Sequence, residues 1–295
     1  MRATPSVAFA LDREFVVGTD AGAWFVAIEA GVLPLPPTGP FSAAVRDGDR
    51  LVVASWEPRL LVLSDRAWTP LDLASPALAL AVHARGLVIA DGDGGVSVLA
   101  SGTRVPIQEV TAPAPIVELV ALTDSVLALA ADGALSVLGS EGALQPIDCT
   151  AIGRPHAVFA IDPKTAIVAG ARGVAIVNGS RLTAVTTDLP ERIRGAAAFR
   201  SSDRLCLHDD AGVAWLLGAT LGDVVRVRLR DAMFVGVTGG ADSLLAWTSD
   251  GALHAIHPDG SVAKLATREV ALALVEQGHA IAFHAGPRMT RVAWI

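Results

Sequence analysis

Between Ile116 and Cys149 the chain alternates short apolar runs with pairs of turn-forming residues. Apolar stretches at Ile116–Leu122, Val126–Ala130, Ala134–Leu138 and Leu144–Cys149 are separated by Thr123-Asp124, Asp132-Gly133 and Glu141-Gly142. Runs of this length, bounded by Asp-Gly and similar pairs, predict four antiparallel strands joined by tight turns. The in/out alternation of a half-exposed sheet is missing, so the pattern predicts sheets covered on both faces.

The same pattern recurs along the whole chain. Units begin near residues 6, 41, 77, 115, 155, 193, 232 and 269, at spacings of 35 to 40 residues. Their middle turns carry Asp20-Ala21-Gly22, Asp91–Gly95 or an equivalent. Seven units have four predicted strands, and the eighth has three, at Val270–Val275, Ala280–Phe283 and Arg291–Ile295. Lys264-Leu265-Ala266-Thr267 before the eighth unit matches Met1-Arg2-Ala3-Thr4 before the first. Residues 1–4 are therefore expected to supply the missing outer strand, closing a ring without a long exposed edge. Punctuation by Gly, Asp and Pro every eight to ten residues leaves no room for a helix of useful length.

Self-similarity at about 40 residues with four strands per repeat resembles the β-propeller superfamily over the full chain. The resemblance implies an all-β fold, an eight-bladed propeller forming a single domain over residues 1–295, with seven blades as the alternative. Small residues in the first strands, such as Ala43-Ala44, Ala77–Ala81 and Ala196–Ala198, suit the crowding near an axis. The Gly-His and Trp-Asp signatures that WD40 blades carry in each repeat do not recur here. The middle turns GTDAGAWFV, IADGDGGVSVL and TSDGALHAI are instead similar to those of WD40-like sensor and quinoprotein-like propellers.

Composition narrows the setting. Hydrophobic residues make up 52% and mean hydropathy is +0.50, yet no apolar run approaches the ~18–20 residues of a membrane helix. The N-terminal apolar stretch is shorter than the ~7–15 residues of a secretory signal, so a cytoplasmic protein without membrane contact is expected. Cys149 and Cys206 fall in different repeats and read as buried thiols rather than a disulfide. A formal charge of −7 argues against nucleic acid as the partner. Usage rich in Ala and Arg, with Lys164 and Lys264 the two lysines, points to a bacterial source.

Candidate chemistry is sparse. Asp91-Gly92-Asp93-Gly94-Gly95 has half the look of a calcium loop, but the position that should hold a bidentate Glu is Gly102, so a tight turn is expected. His254 and His257, three apart on a predicted strand, point to opposite faces. His208, Asp209 and Asp210 read as a capped loop. Glu118 is a lone carboxylate in a first strand, placed to meet a cation or act as a base at the axis. With one Asn and no Tyr, a sugar-reading pocket is hard to assemble. No catalytic, cofactor or metal site is expected.

Two features favour a protein partner. Ser55-Trp56-Glu57-Pro58-Arg59 replaces the usual Asp-Gly turn, setting Trp56 and Arg59 on the rim expected to carry Leu35–Pro40, and Trp and Arg are typical interface anchors. Arg226, Arg228 and Arg230 alternate along a predicted outer strand and share a face, while Val225, Val227 and Leu229 point inward. From Arg192 to Arg230 there are seven Arg against four Asp, which suits an acidic partner. The expected function is a non-catalytic interaction scaffold. In bacteria, propellers of this kind accompany ATPases and proteases in multi-component, defence-like systems, and the resemblance implies a similar setting. A small-molecule-binding or hydrolytic propeller acting at the axis is the alternative.

Overall fold

A computed structural model describes residues 5–11, 14–19, 22–27, 31–34, 41–100, 103–106, 114–139, 143–186, 189, 193–199, 202–209, 211–218, 221, 223–229, 233–239, 243–248, 252–267, 271–275, 279–283 and 289–294. Its strands are β1 (Pro5–Leu11), β2 (Glu14–Thr19), β3 (Gly22–Ala27) and β4 (Gly31–Pro34), then β5 (Phe41–Asp47), β6 (Arg50–Ser55), β7 (Arg59–Ser64) and β8 (Ala67–Asp72). The next two groups are β9 (Ala77–His83), β10 (Gly86–Asp91), β11 (Val96–Ala100), β12 (Thr103–Pro106), and β13 (Ile116–Ala121), β14 (Val126–Ala130), β15 (Leu135–Leu138), β16 (Leu144–Pro146). They are followed by β17 (Pro155–Ala160), β18 (Thr165–Gly170), β19 (Gly173–Asn178), β20 (Arg181–Thr186), and β21 (Ile193–Ala198), β22 (Leu205–Asp209), β23 (Val213–Leu217), β24 (Val225–Arg228). The series ends with β25 (Phe234–Gly239), β26 (Leu244–Thr248), β27 (Ala252–Ile256), β28 (Val262–Thr267), and β29 (Ala271–Val275), β30 (His279–Phe283), β31 (Met289–Trp294).

Among the described residues each group is one antiparallel meander, seven of them four-stranded and the last three-stranded. The strands fall where the apolar runs predict them, because every Asp-Gly or related pair reverses the chain within a few residues. The sheets gather into two compact units. One is Pro36–Glu191, and the other is Met1–Leu35 with Arg192–Ile295. Within the first, the opening strands β5, β9, β13 and β17 lie side by side in that order. Within the second, β21, β25, β29 and β1 do the same, so the N-terminal sheet is the neighbour of the C-terminal one.

One irregularity is common to all the sheets. Pairing of the first strand with the second slips just after the opening residue: between Pro5 and Val7, Phe41 and Ala43, Ile116 and Glu118, Pro155 and Ala157, Ile193 and Gly195, Phe234 and Gly236, and Ala271 and Ala273. In β9 the slip falls between Ala77 and Ala79. A bulge of this kind sharpens the local twist and turns one side chain out of the ladder. Thus Phe41, Ala77, Ile116, Ile193 and Phe234 are buried, whereas the skipped residues Val117, His156 and Arg194 are exposed. The slip also gives a common register. Pro5 and Ala271 are thus equivalent opening residues. Met1–Thr4, expected to supply the outer strand of the last sheet, lie outside the described residues.

Apolar cores lie between neighbouring sheets. Val52, Ala54 and Leu60 pack against Leu80, Leu87 and Ile89, and Val88, Ala90 and Val96 pack against Ile116, Val126 and Leu138. Leu127, Leu129 and Val137 face Val158, Val168 and Val177. In the other unit Cys206, Leu216 and Val227 face Phe234, Leu244 and Ile256. Both faces of a middle sheet are thus buried, which is why its second strand is continuously apolar: all five residues of β14 are buried.

Polar staples cross the same junctions. Ser42 Oγ donates to the Ala77 carbonyl (2.6 Å), Thr123 Oγ1 to the Pro163 carbonyl (2.8 Å) and Arg154 Nη2 to the Ala131 carbonyl (2.9 Å). Close approach sets sequence limits here: a Cβ on Gly170 would collide with the backbone carbonyl of Ile152, whereas one on Gly139 meets nothing. Gly170→Ala should therefore cost about 1–3 kcal/mol, the usual range for overpacking. Gly139→Ala should stay within about 0.5 kcal/mol of the parent, as for surface changes away from special features. Denaturant unfolding of the two variants checks this, and equal midpoints would contradict it.

Candidate interaction surfaces

Trp56 occupies the turn between β6 and β7, where backbone bonds leave the loop little freedom. Buried Ser55 Oγ accepts from the Glu57 amide (3.2 Å), the Arg59 amide donates to the Glu57 carbonyl (2.7 Å), and the Leu73 amide donates to the Pro58 carbonyl (2.8 Å). On this pinned turn the Trp56 side chain stands 64% exposed rather than folding back over its own sheet. Arg59, the first residue of β7, is also exposed and pairs with Glu57 at 3.2 Å. One turn thus presents an indole beside an ion pair. Leu35–Pro40, expected on the same rim, lie outside the described residues.

The second predicted surface is β24. Val227 is buried and joins Val225 in the apolar core against the β25–β28 sheet, while Arg226 and Arg228 are exposed, so the alternation read from the sequence is the one observed. Their backbone partners on β23 are Trp215 and Val213, neither of which offers a carboxylate. Arg230 lies outside the described residues. Trp56 with Arg59 and Arg226 with Arg228 belong to different units.

The remaining polar candidates are engaged in the fold. Asp91 Oδ1 accepts from the Asp93 amide (3.2 Å) and the Gly95 amide (2.7 Å), organising its own turn. Asp209 does the same with Ala211 (2.8 Å) and Val213 (2.9 Å). Ser55, Asp91, Asp209 and Thr248 all end second strands opposite an opening residue, and all are buried. His257 falls in the turn beyond β27 rather than on the strand with His254. Among the described residues, no three His, Cys, Asp or Glu side chains converge where a cation could sit. Burial pushes the Cys206 thiol up to about 12, and burial with the charge of Asp148 pushes Cys149 up to about 11, so neither is a ready nucleophile.

Glu118 reaches across a sheet boundary. Its Oε2 accepts from the Val158 amide of β17 at 3.2 Å. Loss of solvent raises its carboxyl above the usual range, with the Val158 bond opposing part of the rise. The same position two residues after the opening one is Ala43, Ala79, Ala157, Gly195, Gly236 and Ala273 in six other sheets and Val7 in the first, so Glu118 is a long polar side chain where six of the other seven carry Ala or Gly.

His208, expected in a loop, lies inside β22 and is buried. Its ring occupies the space that a Cβ on Gly195 would need and sits 5.4 Å from Phe234, tilted by 47°. The clue in the sequence was Gly195 within an otherwise Ala-rich strand. Burial lowers the imidazole below its ordinary 6.5, outweighing the raising influence of Asp209. Above both the folded and unfolded values His208 is neutral in either state and stability is unaffected. As pH falls through the unfolded value near 6.5, the unfolded chain takes up a proton that the folded one resists, and stability drops. Melting temperature should therefore fall between pH 7 and 5.5 in the parent and fall less in His208→Leu. Equal slopes in the two proteins would contradict this account.

No family model matches the chain, and no curated protein sequence matches it. Among solved structures the chain is similar to BamB from Moraxella catarrhalis, with 14% identity and a TM-score of 0.67 over 95% of this chain and 97% of that one. It is also similar to the computationally designed Ika8 protein, with 14% identity and a TM-score of 0.73 over 100% of this chain and 97% of that one. At such identity the likeness is one of fold. BamB is a β-propeller, and the repeated antiparallel meanders of this chain are propeller-like.

Proposed function

We propose that the chain is a non-catalytic scaffold for protein–protein interaction, an accessory of a bacterial, cytoplasmic multi-component system. The observation that carries this reading is Trp56, a large apolar side chain held in water by a hydrogen-bonded turn. Exposing an indole has a solvation cost, and a rigid, exposed Trp beside Arg is the composition of an interface anchor. A small-molecule-binding or hydrolytic protein is the second reading, favoured by Glu118, whose raised carboxyl pKa is a feature of functional sites as well as of structural ones.

The scaffold reading includes a single domain over residues 1–295 in which the meanders close as an eight-bladed ring. Support comes from β1 lying beside β29 and from the three-stranded sheet β29–β31. In this reading residues 1–4 supply the missing outer strand of that sheet. Deleting residues 1–4 should then lower the melting temperature by several degrees, and an unchanged melt would contradict closure.

The functional test starts with capture of partners from the native host on tagged protein, identified by mass spectrometry, followed by affinity measurement with the purified partner. Trp56→Ala should weaken binding roughly thirtyfold, the equivalent of about 2 kcal/mol for an anchor residue. A partner that binds the folded variant as tightly as the parent would overturn the assignment of this surface. Saturable binding of a small molecule abolished by Glu118→Ala, with no protein captured, would favour the second reading.

A further inference from the structure

The free edge of β24 combines three properties. First, β24 is the last strand of its sheet, in the order β21-β22-β23-β24, so one side of its backbone is unpaired within that sheet. Second, the direction of the unpaired groups is fixed. The Leu229 amide donates to the Gly212 carbonyl at 3.0 Å, so Leu229 faces β23. Backbone groups alternate sides along a strand, so Val225 and Val227 also bond inward, and Val224, Arg226 and Arg228 turn their N–H and C=O groups to the open edge. Third, the side chains at those positions share one face, and all three are exposed. Arg226 and Arg228 have no ion-pair partner among the described residues, in a chain of net charge −7.

We propose that β24 accepts an extended segment of an acidic protein partner as a fifth antiparallel strand, with carboxylates opposite Arg226 and Arg228 and an apolar residue opposite Val224. This deepens the scaffold reading and rests on it. Hydrogen-bonded pairs across the new ladder would form at Val224, Arg226 and Arg228, and cross-strand partners project to the same face. Each guanidinium would therefore meet the side chain of its own ladder partner. Read from its N-terminus, the segment is acid-x-acid-x-apolar, because an antiparallel strand passes Arg228 first. The edge also selects against the wrong occupant: two copies of β24 paired edge to edge would face arginine with arginine. A nucleic acid strand could use the two guanidiniums but not the backbone groups between them, so the unpaired ladder favours a polypeptide.

Fluorescence anisotropy on the full chain at low ionic strength tests this with labelled Thr-Glu-Thr-Glu-Thr-Val-Thr. Three further probes are the same peptide with Lys for Glu, the Glu peptide N-methylated at its two Glu amides, and oligodeoxythymidylate. The Glu peptide should bind saturably, and the Lys and N-methylated peptides at least tenfold more weakly. In the double variant Arg226→Glu/Arg228→Glu, verified as folded by circular dichroism, the preference should reverse to the Lys peptide. Equal binding of the N-methylated peptide would show charge attraction without strand addition. Tighter binding of the oligonucleotide would assign the edge to nucleic acid, and no saturable binding at millimolar peptide would remove the edge as a dock; each result overturns the proposal. The scaffold reading stands or falls separately: a captured partner weakened by Trp56→Ala but not displaced by the Glu peptide leaves the scaffold in place and refutes this mode of binding.

Discussion

The crowding of the opening strands is the constraint on which the rest of the structure depends. β5, β9, β13 and β17 lie side by side in one unit, and β21, β25, β29 and β1 in the other. Strands brought that close by successive sheets leave little volume between them, and the positions two residues in are filled accordingly by Ala43, Ala79, Ala157 and Gly195. The recurring slip in register answers the same demand. It leaves opening side chains such as Ala77, Ile116 and Phe234 in the core against the preceding sheet and turns the next residue out of the ladder. Glu118 and His208 mark two departures from the small-residue rule. Glu118 spans the gap to hydrogen-bond β17, and the ring of His208 fills the space left by Gly195.

Within each unit the described sheets meet at successive interfaces, and four of these carry an apolar core of their own. Such an arrangement exposes many turns, and each must satisfy its own amides. The buried Ser, Asp and Thr residues ending β6, β10, β22 and β26 meet this need, three of them by accepting from the following turn and Thr248 by donating to Ala252. An unsatisfied buried donor there would cost about 1–3 kcal/mol.

Strand positions and repeat length were legible in the sequence because they follow from spacing alone: apolar runs of strand length between reversing residues leave one solution. The alternation at β24 was legible for the same reason. Bulges were not, since a slip of one residue leaves the apolar pattern nearly unchanged. His208 was misplaced because His-Asp-Asp reads as a polar loop, whereas Gly195 on the paired strand makes room for a buried ring. Which way Trp56 points could not be read from composition. It depends on the bonds from Ser55, Pro58 and Arg59 that fix its turn.

Among the described residues, Trp56 on one turn and two arginines without ion-pair partners on one edge are what the proposed scaffold would offer a partner. Its rigidity would come from the repeated junctions. Amide hydrogen exchange, resolved by peptide fragments along the chain, tests it most directly. Second strands such as β6, β10, β14, β18 and β22 should exchange slowest and to a similar extent, while outer strands such as β8, β16 and β24 exchange fastest. Protection concentrated in one or two sheets, with second strands elsewhere exchanging like outer ones, would contradict a fold held by equivalent interfaces.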